Sequence, residues 1–135
     1  MPDDAYHTVK NYFDALVAGD AERLIAMMSS VDYYVKIGTD RGEIVKGDEN
    51  AIVDYYQGLV ASTEAFTIAL HHFDVQERDK VAWFYSTQLW QLKWQGEFEE
   101  FMMRMTGVLE KENGKWKFVQ IHGSIGVAVD CDARS

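Results

Sequence analysis

The sequence predicts an α+β protein in which three N-terminal helices pack on a curved, mainly antiparallel sheet. Three observations predict it. Apolar residues recur at spacings of three and four in three stretches before Ser62, the mark of amphipathic helices. After Ser62 the chain turns to long alternating segments joined by tight-turn sequences, among them Asn113-Gly114, a strong two-residue hairpin signal. The last segment, Lys115 to Val127, reads KWKFVQIHGSIGV and alternates two largely apolar sets, as a strand covered on both faces does. Helices first and a meander of strands afterwards is the order of an α+β layer pair.

The elements follow in order. Asp3 or Asp4 caps a first helix that carries Ala5, Val9, Tyr12, Phe13, Leu16 and Val17 on one face, and Gly19 ends it. Asp20 caps a short second helix presenting Leu24, Ile25, Met27 and Met28. Asp32 to Ile37 is a first strand, Thr39 to Gly42 a turn, and Glu43 to Lys46 a short extended piece. Asp48 caps a third helix that buries Ile52, Val53, Tyr55, Tyr56, Leu59 and Val60. Four strands then run over Phe66–Gln76, Val81–Trp94, Phe98–Lys111 and Trp116–Val127, joined at Arg78-Asp79, Gln95-Gly96 and Asn113-Gly114.

A chain of 135 residues is read as one domain, with a core over about 5–127 and a polar C-terminal tail. Its 47% hydrophobic share is that of a globular protein. A formal net charge of -9 argues against nucleic acid and anionic membranes, which call for clustered Lys and Arg. The single cysteine, Cys131, leaves no internal disulfide framework, fits a reducing compartment, and is read as inert in the tail. With no signal-peptide pattern and no long apolar run, the expectation is a cytoplasmic protein. No metal is expected: His71 and His72 are adjacent on a strand and point to opposite faces, and no Cys partners or spaced His pairs support zinc. No cofactor is expected either, since no Gly-rich phosphate loop occurs.

Two-residue turns at Gln95-Gly96 and Asn113-Gly114 predict a register. Tyr85 faces Thr106, Thr87 faces Arg104, Gln120 faces Gly107 and His122 faces Met105. Opposed residues share a face. One face then collects Trp83, Tyr85, Thr87, Leu89, Met102, Arg104, Thr106, Val108, Val119, Ile121 and Gly123. The other collects Phe84, Ser86, Gln88, Trp90, Phe101, Met103, Met105, Phe118, Gln120 and His122.

Several short motifs, in this order and spacing, carry a resemblance. They are Tyr12-Phe13 with Ala18-Gly19-Asp20, Ile37-Gly38-Thr39-Asp40 followed by Gly42-Glu43 and Gly47, Val81-Ala82-Trp83, and Gly114-Lys115-Trp116 with His122 and Ser124. Over residues 5 to 127 the chain resembles the NTF2-like superfamily, and within it the SnoaL-like proteins, with their ketosteroid isomerase-like, cystatin-like cone. The resemblance implies a conical pocket between the helices and one face of the sheet. It also implies a homodimer paired through the helix-free face, here expected to present Phe84, Trp90, Met103, Phe118 and His122.

The pocket is expected to be lined by Trp83, Tyr85, Arg104, Thr106, Ile121 and Tyr12. Arg104 is the sharpest signal: a guanidinium in an apolar strand needs a carboxylate partner or an anionic ligand once buried. Tyr12, Lys36 and Tyr85 are the catalytic candidates. The resemblance places Tyr12 where ketosteroid isomerases hold an oxyanion-hole tyrosine. It also places Lys36 at or beside their catalytic-base aspartate, and Thr106 at their second oxyanion-hole acid. Isomerase chemistry needs a carboxylate there. The epoxide hydrolases of this fold need aspartates that Thr106 and the stretch Lys115–Val129 do not supply. The expected function is therefore binding of a small, mostly apolar molecule, with a carboxylate held by Arg104. The alternatives are an isomerase, dehydratase or cyclase acting on a small carbonyl compound, and a ligand-free dimeric assembly module.

Overall fold

The computed structural model describes residues 4–126; Asp3, Val127, Cys131 and the polar tail lie outside them. The first helix, α1, spans Ala5–Ala18. Asp4 caps it by accepting from the His7 N–H, and Gly19 closes it in the left-handed region at φ 66°. Its apolar stripe buries Val9, Tyr12, Phe13 and Leu16, while Val17, expected on that stripe, is exposed. Asp20 caps α2 (Ala21–Ala26), and Asp48 caps α3 (Glu49–Ser62), whose inner residues Ile52 and Tyr56 are buried. Each aspartate satisfies backbone N–H groups that the first turn of a helix leaves without partners.

The strands are β1 (Val35–Ile37), β2 (Ile44–Lys46), β3 (Thr63–Arg78), β4 (Val81–Trp94), β5 (Glu97–Glu112) and β6 (Lys115–Ile125). They form a six-stranded sheet in the order β2-β1-β6-β5-β4-β3. The pairing is antiparallel except between β1 and β6, which run parallel. The first strand is shorter than its sequence suggested, because the backbone turns over Asp32 and Tyr33, with the Tyr34 N–H donating to the Val31 carbonyl at 3.2 Å, before pairing begins. The turn after β3 falls at Asp79-Lys80, one residue later than expected, with Asp79 at positive φ. Aspartate tolerates that region better than most side chains.

The predicted β4–β5 register holds throughout: Tyr85 pairs with Thr106, Thr87 with Arg104 and Trp94 with Glu97. Pairing between β5 and β6 also starts as expected, at Glu112 and Lys115. It then shifts at a bulge, where Leu109 pairs with Phe118 but Val108 pairs with Gln120. The extra residue, Val119, moves every later partner by one, so Gly107 faces Ile121 and Thr106 faces His122.

The expected assignment of faces is reversed for β4, β5 and Phe118, whereas beyond the bulge Ile121 lies inside and His122 outside, the faces expected for them. Ala82, Phe84, Ser86, Trp90, Met103, Met105, Leu109, Phe118 and Ile121 are buried with the helices' inner residues in one core. Trp83, Tyr85, Arg104, Thr106 and His122 lie exposed on the opposite face. Phe84, Trp90, Met103 and Phe118 therefore do not form a partner-facing patch; they hold the chain's own layers together. Their rings interlock, with Phe118 centred 5.0 Å from Tyr12 and 6.2 Å from Phe84. Two buried polar residues on this inner face satisfy each other: the Gln88 amide donates to the Ser86 hydroxyl (2.8 Å), and the Trp90 indole donates to the Gln88 carbonyl (2.5 Å). Burial of such groups is tolerated when they are paired. Gly107 sits at the centre of the inner face because a Cβ there would meet Phe84 Cε1 at 2.5 Å and the Gln120 carbonyl at 2.8 Å.

Candidate functional site

Between α1, α3, the β1–β2 hairpin and the inner face of the sheet remains an open cavity of about 260 Å³. Its apolar wall comes from Leu16, Leu59, Trp90, Leu92, Trp94, Phe101, Met103, Met105 and Ile125. Tyr12, Lys36, Glu43 and Tyr55 bring polar atoms to it. A mostly apolar recess with a few convergent polar groups is the usual form of a small-molecule site.

Lys36 is the centre of its chemistry. Parallel pairing with Ile121 and antiparallel pairing with Val45 turn its side chain to the inner face, where the residue is 6% exposed. Among the described residues no carboxylate lies within 4.0 Å of its Nζ. The ammonium instead sits over the Tyr55 ring, 4.9 Å from the centroid, a cation–π contact that partly replaces the lost water. Desolvation pulls Lys36 down to about 8, and the charge of Glu43 draws it part of the way back.

Glu43 reaches the cavity through the β1–β2 hairpin. It precedes β2 at the same side as Val45, and the Gly38 N–H donates to its backbone carbonyl at 2.8 Å. A Cβ on Gly38 would collide with the Glu43 carboxylate, so glycine leaves the space that the carboxylate occupies. That carboxylate accepts a 2.5 Å hydrogen bond from the Tyr55 hydroxyl. Burial, reinforced by the neighbouring Tyr12 and Glu43, holds Tyr55 protonated well above the ordinary tyrosine range. Tyr12 and Tyr56 share a buried hydroxyl–hydroxyl bond of 2.9 Å. Desolvation raises both phenols as well. The four phenols Tyr12, Tyr34, Tyr55 and Tyr56 are thus proton holders at neutral pH, and Glu43, one of three carboxylates on the cavity lining with Asp40 and Glu99, accepts from Tyr55.

Of the residues expected in a pocket, Tyr12 and Lys36 line this cavity, and Ile121 is buried on the same face beside Lys36. Trp83, Tyr85 and Thr106 do come together, but on the outer face, along an open groove of about 320 Å³ shared with Gly107 and Gln120. Arg104 is exposed there, its Nε donating to the Ser124 hydroxyl at 3.2 Å. The outer groove is the larger of the two, yet it holds no buried charge; the inner cavity does, and it is the candidate site. The sequence marks Tyr55 as a core residue and Glu43 as part of an extended piece and of the Gly42-Glu43 motif, with no site role for either. Alternation along Glu43–Lys46 was the signal for Glu43, since pairing of Lys36 with Val45 puts both on the inner side. Among the described residues no three His, Cys, Asp or Glu side chains gather to hold a metal ion, and no helix is long and apolar enough to cross a membrane.

The helices on a curved sheet and the cavity between them define the NTF2-like class. Solved structures agree. An NTF2-like family protein of Streptomyces avermitilis, described as a candidate dehydratase, matches with a TM-score of 0.77 at 17% identity, covering 90% of this chain and 93% of that one. An NTF2-like protein of unknown function from Pseudomonas putida KT2440 matches with a TM-score of 0.76 at 17% identity, over 93% and 86% of the two chains. A ketosteroid isomerase-like protein of Erwinia carotovora atroseptica gives 0.73 at 17% identity, over 90% and 93%. Likeness at this identity speaks to the fold alone. No functionally curated protein matches the chain. The model of the SnoaL-like domain matches residues 6–128, and the chain belongs to that family.

Proposed function

We propose that the chain binds a small, mostly apolar molecule in the inner cavity and holds one oxygen-bearing group of it, a carboxylate or a carbonyl, at Lys36. The observation that carries this reading is a buried lysine with no acid within 4.0 Å among the described residues, turned into an aromatic-lined recess. A buried cation without a partner is unfavourable, and a ligand oxygen relieves it. Lys36 takes the place that the sequence reading gave to Arg104. A cavity of about 260 Å³ also weighs against a ligand-free assembly module. The test is a thermal-shift screen of small organic acids, ketones and aromatic compounds on wild type and Lys36→Met. A ligand at a hundred times its dissociation constant adds about 2.7 kcal/mol, several degrees for a chain of this size. Acids or ketones are expected to raise the wild-type midpoint and to lose that effect in the variant. No shift with any of them, or equal shifts in both proteins, would end this reading.

An enzymatic role on a carbonyl compound is the second reading, and the Glu43–Tyr55 bond beside Lys36 favours it by placing a proton acceptor and a proton donor at one end of the cavity.

We also propose self-association through the outer face of the sheet. Trp83, Tyr85 and Met102 are 41%, 50% and 40% exposed on that face, and large apolar side chains left open on a sheet face call for a cover. Sedimentation at micromolar concentration is expected to show a dimer for wild type and a monomer for Trp83→Glu. A wild-type monomer would refute it.

A further inference from the structure

We propose that Lys36 is an imine-forming lysine: its Nζ condenses with the carbonyl carbon of a small aldehyde or ketone in the cavity, and the Glu43–Tyr55 pair handles the protons. This rests on the reading of the cavity as a ligand site and narrows it from any oxygen-bearing ligand to carbonyl compounds.

The geometry meets three requirements of that chemistry. The amine must not be tied up in an ion pair, and no carboxylate among the described residues lies within 4.0 Å of it. Water must be held back, and Trp90, Phe101, Met103 and Met105 form an apolar wall around the site. An acid and a base must be at hand in the cavity, and the hydroxyl of Tyr55, whose ring lies 4.9 Å from the ammonium, is bonded to the Glu43 carboxylate at 2.5 Å. Lys36 is also the one lysine buried among the described residues. Its lowered position near 8 leaves about one molecule in ten with a neutral amine at pH 7, far more than an ordinary lysine provides.

The step balances without an outside oxidant or reductant. The Nζ lone pair forms a bond to the carbonyl carbon, and the carbonyl π pair moves to oxygen, which takes a proton from Tyr55. The nitrogen gives up a proton to Glu43, leaving a neutral carbinolamine. The nitrogen lone pair then closes a C=N bond as the C–O bond breaks, the hydroxyl leaves as water with a proton from Tyr55, and the resulting iminium N–H gives its proton to Glu43, so the pair ends as it began. Amine plus carbonyl has become imine plus water. Tyr55 serves as donor by turning its single O–H from the Glu43 carboxylate to the carbonyl oxygen. The bond to Glu43 then lets the phenol regain a proton from the acid it has just served.

The experiment uses the whole chain with benzaldehyde as the probe and sodium cyanoborohydride to reduce any imine to a stable benzylamine, followed by peptide mass spectrometry. Lys36 is expected to carry the label at least tenfold above any other lysine. Glu43→Gln is expected to slow its labelling about tenfold while far-ultraviolet dichroism stays unchanged. Label spread over the exposed lysines with Lys36 unmodified would overturn the proposal, as would unchanged labelling of Lys36 in Glu43→Gln for the proton-handling part. Benzoate and benzyl alcohol, which cannot form an imine, separate the two claims. If either raises the midpoint of wild type while Lys36 stays unlabelled, the cavity still binds ligands and only the imine is refuted. If neither does, both fall.

Discussion

Phe118→Ala is expected to remove about 3–5 kcal/mol of stability, the range for emptying a fully buried aromatic site. Phe118 is 0% exposed. Its ring meets Tyr12 of α1 and Phe84 of β4 at centroid distances of 5.0 and 6.2 Å. Its backbone ties the chain after α2 to β6, donating to the Met27 carbonyl and accepting from the Ser29 N–H, both at 2.9 Å. The side chain thus joins α1 to β4 and β6, and the rings around it have little freedom to collapse into the gap. A domain of ordinary stability holds about 5–15 kcal/mol, so the loss is a large share of the total and the variant should unfold at clearly lower urea than wild type. Urea denaturation measures the loss. Phe98→Ala is the control: that ring is 66% exposed, and its removal should change stability by no more than about 0.5 kcal/mol. A Phe118→Ala variant that loses less than about 1 kcal/mol would mean that the core does not close around this ring.

Lys36→Met is expected to act in the opposite direction and to depend on pH. The folded lysine titrates at about 8, against an ordinary value of 10.5. Between those two values the unfolded chain binds a proton that the folded chain does not, so wild-type stability rises with pH across the window. Below about pH 8 folding carries the full penalty of a desolvated ammonium, on the order of 3 kcal/mol for a displacement of this size. Methionine fills a similar volume and carries no charge, so the variant should be more stable than wild type by about that amount at pH 7. The gain should fade as pH rises from about 8 to 10.5. Burial raises Tyr12, Tyr34, Tyr55 and Tyr56, which also makes stability fall above pH 10. Those phenols are present in both proteins, so the difference between the two curves isolates the lysine. Denaturant titrations at pH 7 and pH 10 give that difference. A difference independent of pH, or a less stable variant at pH 7, would show that Lys36 is paired or hydrated in solution.

The fold was legible because its signals are local. Aspartates at positions 4, 20 and 48 mark three helix starts, and Gln95-Gly96 and Asn113-Gly114 fix two hairpins to the residue. The candidate site was only partly legible. Tyr12 and Lys36 were singled out and do line the cavity. Trp83, Tyr85, Arg104 and Thr106 were placed there too, and they face the other way. Two features of the sequence account for that. Both faces of β4 and β5 carry large apolar side chains, so composition does not separate inside from outside. Ser86 and Gln88 look like surface residues in a strand, and they are buried only because they bond to each other and to Trp90. The Val119 bulge was equally silent, since no turn signal announces an extra residue in mid-strand, and it moves only the β5–β6 partners from Val108 onward. Glu43 became visible only when the hairpin brought it over Gly38.

The methionines of β5 give the most direct test of where a ligand sits. Met103 and Met105 line the inner cavity, while Met102, between Phe101 and Met103 in sequence, stands on the outer face and is 40% exposed. A methyl NMR spectrum of chain labelled at its methionines, titrated with a compound that raises the thermal midpoint, reports on both faces at once. The Met103 and Met105 methyls are predicted to move together and saturably, with Met102 unmoved, and Lys36→Met is predicted to weaken that response. Movement of Met102 with Met103 and Met105 still would put the ligand on the outer groove and contradict the inner cavity as the binding site.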